Sequence, residues 1–199
     1  MPTIDRTIVP PPRIAPLEPP YPDAVGRQLE RMMPAGVPPI ALFRTFVKHL
    51  PMAEAMAGWG GYELSRRLSL SLRQRELVID RTCARCGCQY EWGVHVAFFA
   101  ERADLTPAQV TSLTHGDPDD PCWEDEQERA ILRAVDQLHD TSTVDDRTWT
   151  ALEQFLNEAQ CMDLLLLCGW YHAVSFVANG TAVRPEDDAP RFVDVAPTP

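Results

Sequence analysis

The chain has 199 residues, 45% hydrophobic and 24% charged, with a formal net charge of −11 and a pI of about 4.8. That composition supplies the core of one ordinary domain and excludes global disorder. The acidity, with no basic block to offset it, argues against nucleic acid or an anionic membrane surface as a partner.

Eleven of the nineteen prolines fall within the first 39 residues. Proline fixes φ and lacks an amide donor, so residues 1–21 are expected to form an extended arm. The opening MPTIDRTIVPPP has no basic region followed by an apolar one, so no secretory signal is expected. A short helix follows over residues 23–33. Helices are then expected at 40–50 and 52–68, separated by Pro51. Ser71 with Gln74 forms a capping box that opens a helix running to about Cys86. Gly87 interrupts, and a further helix covers 88–102. Thr106-Pro107-Ala108-Gln109 starts another. Helices near 124–138, 146–156 and 158–179 complete the series, the last capped by Asn157 and Gln160 and closed by Gly180. No two-residue alternation suggests strands. The expected fold is an all-α bundle over residues 22–184, followed by a C-terminal tail over 185–199. The apolar run 164–178 is interrupted by His172 and falls short of the roughly 20 residues of a bilayer span, so it predicts a buried helix. Six cysteines in an unsignalled chain suggest reduced thiols, redox groups or ligands rather than a disulfide framework, and a cytoplasmic location.

Chemistry concentrates in Cys83-Ala-Arg-Cys86-Gly-Cys88-Gln-Tyr-Glu91-Trp-Gly-Val-His95: three thiols, a carboxylate and an imidazole in thirteen residues. A helix from Cys88 places Cys88, Glu91 and His95 at i, i+3 and i+7 on one face. The amides and dipole at the helix start favour a Cys88 thiolate. Glu91, one turn before His95, is positioned to orient or charge the ring. Trp92 and Phe99 border that face and would exclude water. On the preceding helix Glu76, Asp80 and Cys83 fall at i, i+4 and i+7, again on one face, so side-by-side packing would bring Glu76 to the Cys88/His95 row. Two carboxylates beside one imidazole push pKa values apart, which suits acid/base catalysis. The competing reading is a buried helix pair with satisfied polar groups, the cysteines acting as small apolar filler.

Cys83, Cys86, Cys88 and His95 lack a familiar zinc spacing, and one helix would splay the thiols, so no metal is expected. His172, one turn after Cys168, reads as a core histidine or, with Cys83, as pocket lining. Trp170 and Tyr171 read as core or interface aromatics, and His49, His115 and His139 as surface groups.

Arg75-Glu76-Leu77, the eleven residues between Glu76 and Cys88, and then Tyr90-Glu91-Trp92 and His95 resemble the carboxymuconolactone decarboxylase family. That family lies within the alkylhydroperoxidase D (AhpD)-like superfamily. The resemblance is strongest over residues 60–115. It implies an AhpD-like helical bundle extending through Asn179 and a homo-oligomer (dimer, trimer or hexamer). In the peroxidase branch the motif runs Glu, then Cys-x-x-Cys-x-x-x-His. Glu76, Cys88 and His95 match it, but Glu91 stands where the second cysteine belongs. A carboxylate cannot form the disulfide that resolves a sulfenate, which leaves Cys83 or Cys86 as stand-ins. The Tyr-Glu-Trp form is more similar to the decarboxylase branch. It implies a cofactor-free carbon-carbon lyase that decarboxylates a small carboxylated lactone or related organic acid. His95 would be the general acid or base, Glu76 and Glu91 would tune it, and Cys88 would line the pocket or donate a proton. Two readings stay open beside it: a thiol peroxidase with peroxiredoxin-type activity at Cys88, and a non-catalytic helical assembly module.

Overall fold

The computed structural model describes residues 11–196, and among these there are helices and no strand. In chain order they are α1 (Asp23–Met32), α2 (Ala41–Phe46), a 3₁₀ turn (Val47–His49), α3 (Leu50–Glu63), α4 (Leu72–Arg85), α5 (Gln89–Phe99), α6 (Pro107–His115), α7 (Glu126–Thr141), α8 (Asp146–Glu153), α9 (Glu158–Thr181) and a 3₁₀ turn at Phe192–Val195.

α4 is the central element. It packs against α5, α6, α7 and α9, and nine consecutive residues, Arg75 to Cys83, are buried. A helix hidden on every side must satisfy its polar residues internally. Arg81 does so by forking onto Asp136 of α7 with two 2.7 Å hydrogen bonds. Its third nitrogen donates to the carbonyls of Ser112, Leu113 and Gly116. These are orphan acceptors at the end of α6, so one guanidinium joins three helices and caps one of them.

The helix starts follow the expected chemistry. Ser71 with Gln74, Thr106 with Gln109, and Asn157 with Gln160 each form a reciprocal capping box. Pro51 does not separate two helices as expected. It occupies the first turn of α3, where a missing amide is no loss, and His49 caps that helix by accepting from the Met52 amide at 3.1 Å. α3 also ends earlier than expected, at Glu63 rather than Leu68. Gly180 does not close α9 either. The helix runs on to Thr181, and Ala182 takes the left-handed conformation, with φ of 55°. The Val183 amide then reaches back to the Ala178 carbonyl.

Between α4 and α5 the chain reverses through a Schellman turn. Gly87 has φ of 61°, its amide donates to Ala84, and the Cys88 amide donates to Cys83. This two-residue reversal lays α5 against α4 and sets their facing side chains in register.

The ends of the described chain fasten the bundle. The first ten residues of the expected arm lie outside the described residues. The amides of Arg13 and Ile14 donate to the Thr181 carbonyl, and that of Leu17 to Arg44. At the other end, Glu186 accepts from the Ala41 amide and the Tyr90 hydroxyl. Phe192 packs edge-on against Trp92 at 5.0 Å. Gly93 permits this closure, since a Cβ there would lie 2.7 Å from the Pro190 carbonyl.

α9 spans 24 residues and is apolar and long enough to cross a membrane by length and composition, contrary to the expectation from its interrupted apolar run. Of its most apolar window, 56% is buried within the protein, which marks it as a core helix. Its outer face carries exposed Met162, Leu166 and Phe176.

Ala182 should be improved by glycine. Relieving the left-handed Cβ strain outweighs the added unfolded-state entropy, so Ala182→Gly is expected to stabilise by roughly 0.5–1 kcal/mol. The shift of the urea unfolding midpoint measures it; a midpoint that falls would refute the strain argument.

Candidate functional site

Across the α4–α5 seam, Glu76 meets His95. Glu76 Oε2 lies 2.7 Å from His95 Nδ1, with Glu76 fully buried and His95 3% exposed. The other Glu76 oxygen accepts from Arg75 Nε at 2.7 Å. Arg75 also lies over the Phe99 ring, 4.9 Å from its centroid, and Phe99 in turn faces His95 at 5.3 Å. Burial alone would raise the Glu76 carboxyl, but the His95 and Arg75 charges and hydrogen bonds override it and hold Glu76 below its ordinary value.

The second nitrogen of His95 points the other way. His95 Nε2 lies 2.9 Å from the Tyr171 hydroxyl on α9 and 3.6 Å from Glu91 Oε1. Burial disfavours the imidazolium, yet the charges and hydrogen bonds of Glu76 and Glu91 outweigh it and lift His95 to about 10. His95 is therefore a charged proton carrier at neutral pH, donating from both nitrogens. Asp80, one turn beyond Glu76, is fully buried, and neither of its oxygens has a hydrogen-bond partner among the described residues. Desolvation and the Glu76 charge raise it well above its ordinary value, so it is a neutral acid.

Glu91 and Tyr171 line a cavity of about 180 Å³. Met32, Phe46, Met56 and Val174 give it apolar walls, and exposed Arg31 brings a positive charge. Glu91 Oε2 has no hydrogen-bond partner among the described residues. Gly60 lets the Trp170 indole close one wall, because a Cβ there would sit 2.9 Å from the ring. Burial and the negative charges of Glu91 and Glu76 push the Tyr171 hydroxyl well above its usual range, so it stays protonated.

Glu76, Glu91 and His95 thus converge as their spacing predicts. Cys88 does not join them in the cavity. It is the N-terminal cap residue of α5, fully buried, and absent from the cavity wall. The expected thiolate is also corrected. Burial pushes the Cys88 thiol up to about 11, despite help from the Glu91 amide and the Ser175 hydroxyl. The expected pocket lining is likewise redistributed. Trp92 is sealed under Phe192. Cys83 is fully buried, its thiol raised well above its ordinary value by that burial. Phe99 backs His95 from outside the cavity. His172 turns away from the cavity toward His139, 3.0 Å between ring nitrogens. Tyr171, read from sequence as a core or interface aromatic, is the residue that sequence reasoning missed. It lies 76 positions from His95, beyond any local spacing rule.

Residues 51–137 match the carboxymuconolactone decarboxylase family model. No curated protein matches the sequence. Among solved structures, an uncharacterised peroxidase-related protein from Silicibacter sp. aligns over 93% of this chain and 99% of its own, with a TM-score of 0.78 at 17% identity. An AhpD-core peroxidase-related protein from Ralstonia eutropha aligns over 88% and 94%, with a TM-score of 0.71 at 20% identity. A putative antioxidant defence protein AhpD from Agrobacterium tumefaciens aligns over 72% and 97%, with a TM-score of 0.64 at 20% identity. The chain is an all-α helical bundle with the AhpD-like fold, and its residues 51–137 match the carboxymuconolactone decarboxylase family model.

Proposed function

We propose that this protein is an acid/base enzyme that decarboxylates a small carboxylated lactone or a related organic acid without a cofactor. The observation that carries this reading is the continuity of proton-bearing groups from buried Glu76 through His95 to Tyr171 and Glu91 at the cavity wall. The cavity is smaller than the roughly 300–1,000 Å³ of drug-sized ligand clefts, so it suits a compact substrate. Its apolar walls disfavour a solvated carboxylate and favour the more diffuse charge left once carbon dioxide departs. Arg31 supplies the attraction for an anionic substrate.

The reaction needs no redox partner. The carbon–carboxylate bond breaks heterolytically, carbon dioxide leaves, and the electron pair remains as an enolate. The Tyr171 hydroxyl protonates it and is itself reprotonated by His95 Nε2–H. Glu76 holds His95 as the cation until that transfer, and solvent restores the proton afterward. Glu91 holds the ring from the cavity side.

His95→Gln is expected to lower kcat/KM by roughly 10²–10⁴-fold, the usual worth of a positioned acid or base. Tyr171→Phe should lose about 10²-fold, with unchanged helicity by circular dichroism. Carbon dioxide release from a carboxylated lactone reports both. Full turnover in His95→Gln defeats the assignment.

The imidazolium also fixes the pH response. Activity should hold through neutral pH and fall as pH rises through about 10, where His95 loses its proton. Stability has the same sign. Because His95 is raised above 6.5, its contribution is complete below that value and is lost as pH climbs through about 10. Urea midpoints of wild type and His95→Gln should therefore converge at alkaline pH.

The thiol peroxidase reading draws support from the superfamily fold, but Cys88 lacks both exposure and thiolate character. Mass spectrometry after a modest excess of peroxide should find Cys88 unoxidised. A Cys88–Cys86 or Cys88–Cys83 disulfide would instead promote the peroxidase. A pure assembly module would have no use for buried His95 and Glu91 beside an open cavity, so the geometry favours the enzyme.

A further inference from the structure

A second cluster lies outside the acid/base cavity. Cys86, the C-terminal cap residue of α4, His139 on α7 and His172 on α9 each offer one ligand atom, and the three atoms lie within 4.8 Å of one another. Cys86 Sγ is 3.8 Å from His139 Nδ1, which is 3.0 Å from His172 Nε2. A tetrahedral zinc ion with bonds of about 2.3 Å to sulfur and about 2.0–2.1 Å to nitrogen separates its ligands by roughly 3.3–3.6 Å. The measured spacings bracket that range.

The hydrogen bonding around His172 fixes which nitrogen is available. Its Nδ1 lies 2.8 Å from the Cys168 carbonyl, so Nδ1 carries the proton and Nε2 presents a lone pair toward His139. A backbone carbonyl behind a histidine is the usual outer support of a metal ligand, setting both tautomer and ring plane. Without a cation, the two facing ring nitrogens must share one proton. With one, both lone pairs and the Cys86 thiolate point at a common centre. All three ligands are half-buried, which leaves a fourth position for water.

We propose that Cys86, His139 and His172 form a binding site for one zinc ion, with water as the fourth ligand. The donor set of one sulfur and two imidazoles suits a borderline-soft cation and offers nothing to calcium or magnesium, which want oxygen. The sequence expectation of no metal weighed only Cys83, Cys86, Cys88 and His95. Helix packing recruits Cys86 alone from that group and adds two histidines from distant helices.

Full-length protein, stripped with a chelator and dialysed, should bind one equivalent of zinc and ignore magnesium at the same concentration. Cobalt(II) in place of zinc should give visible ligand-field absorption and a near-ultraviolet thiolate-to-cobalt band. Cys86→Ser should abolish the thiolate band, and His139→Asn should weaken zinc binding by more than about 100-fold, with helicity unchanged by circular dichroism in both. Cys88→Ser should retain the cobalt spectrum, because the neighbouring buried thiol is not a ligand, and His95→Gln should retain it too, which separates this site from the catalytic proposal. The absence of stoichiometric zinc binding overturns the inference. So does binding that survives Cys86→Ser, or that is lost in Cys88→Ser instead.

Discussion

The buried pair between Glu76 and His95 is the constraint on which the rest of the structure depends. Removing two charges from water costs several kcal/mol per ion, and their attraction recovers this only when the remaining valences are also filled. Here they are filled from three directions. Arg75 takes the second Glu76 oxygen, Tyr171 meets the second His95 nitrogen, and Phe99 covers the ring. Each partner demands an element at a fixed distance. α5 must lie directly against α4, and α9 must cross close enough to bring a phenol to the imidazole. Asp80 shows the limit of the arrangement. One turn from Glu76 and without a countercharge of its own, it resides in the same interior only as a neutral acid.

What the sequence makes legible is the part governed by local rules. The capping boxes at Ser71, Thr106 and Asn157 depend on a side chain three residues from its backbone partner, so the pattern alone locates them. Glu91 and His95 are one helical turn apart, and the reversal at Gly87 leaves few ways to place α4 against α5. Glu76 can therefore be anticipated opposite His95. Tyr171 and His139 could not be found in this way, because only the packing of α7 and α9 against α4 gives them a role. The ends of helices were less legible where two residues competed. Gly180 has the intrinsic freedom to end α9, yet hydrogen bonds to the Gly180 and Thr181 carbonyls from residue 13 and its neighbour keep the helix going. The left-handed position then falls to Ala182.

The thiols show how burial overrules position. Cys88 has the helix-start location that normally favours a thiolate, worth at most a kcal/mol or two. A fully buried thiol loses hydration of its anion, and desolvation is the largest influence on it. The residue with the better local electrostatics is thus the less reactive one. Cys86, two positions earlier and half-buried, retains access to solvent because the Schellman turn leaves it at the surface side of the reversal. Its thiol is also raised by partial burial, so a cation, rather than the helix terminus, is what would hold it as a thiolate.

Consecutive residues on a helix diverge by about 100°, and α9 uses that divergence to serve two chemistries. Tyr171 turns toward His95 and the cavity, while His172 turns toward His139 and Cys86. One turn before His172, the Thr82 hydroxyl reaches Cys168 Sγ at 3.5 Å in the buried α4–α9 contact. A rotation of α9 that improved one site would disturb the other, so the two constrain the same helix phase. Arg81 fixes α4 against α6 and α7, which removes the remaining freedom on the other side of the seam. The fold therefore positions its proton-transfer row and its sulfur–imidazole cluster by one common set of helix contacts.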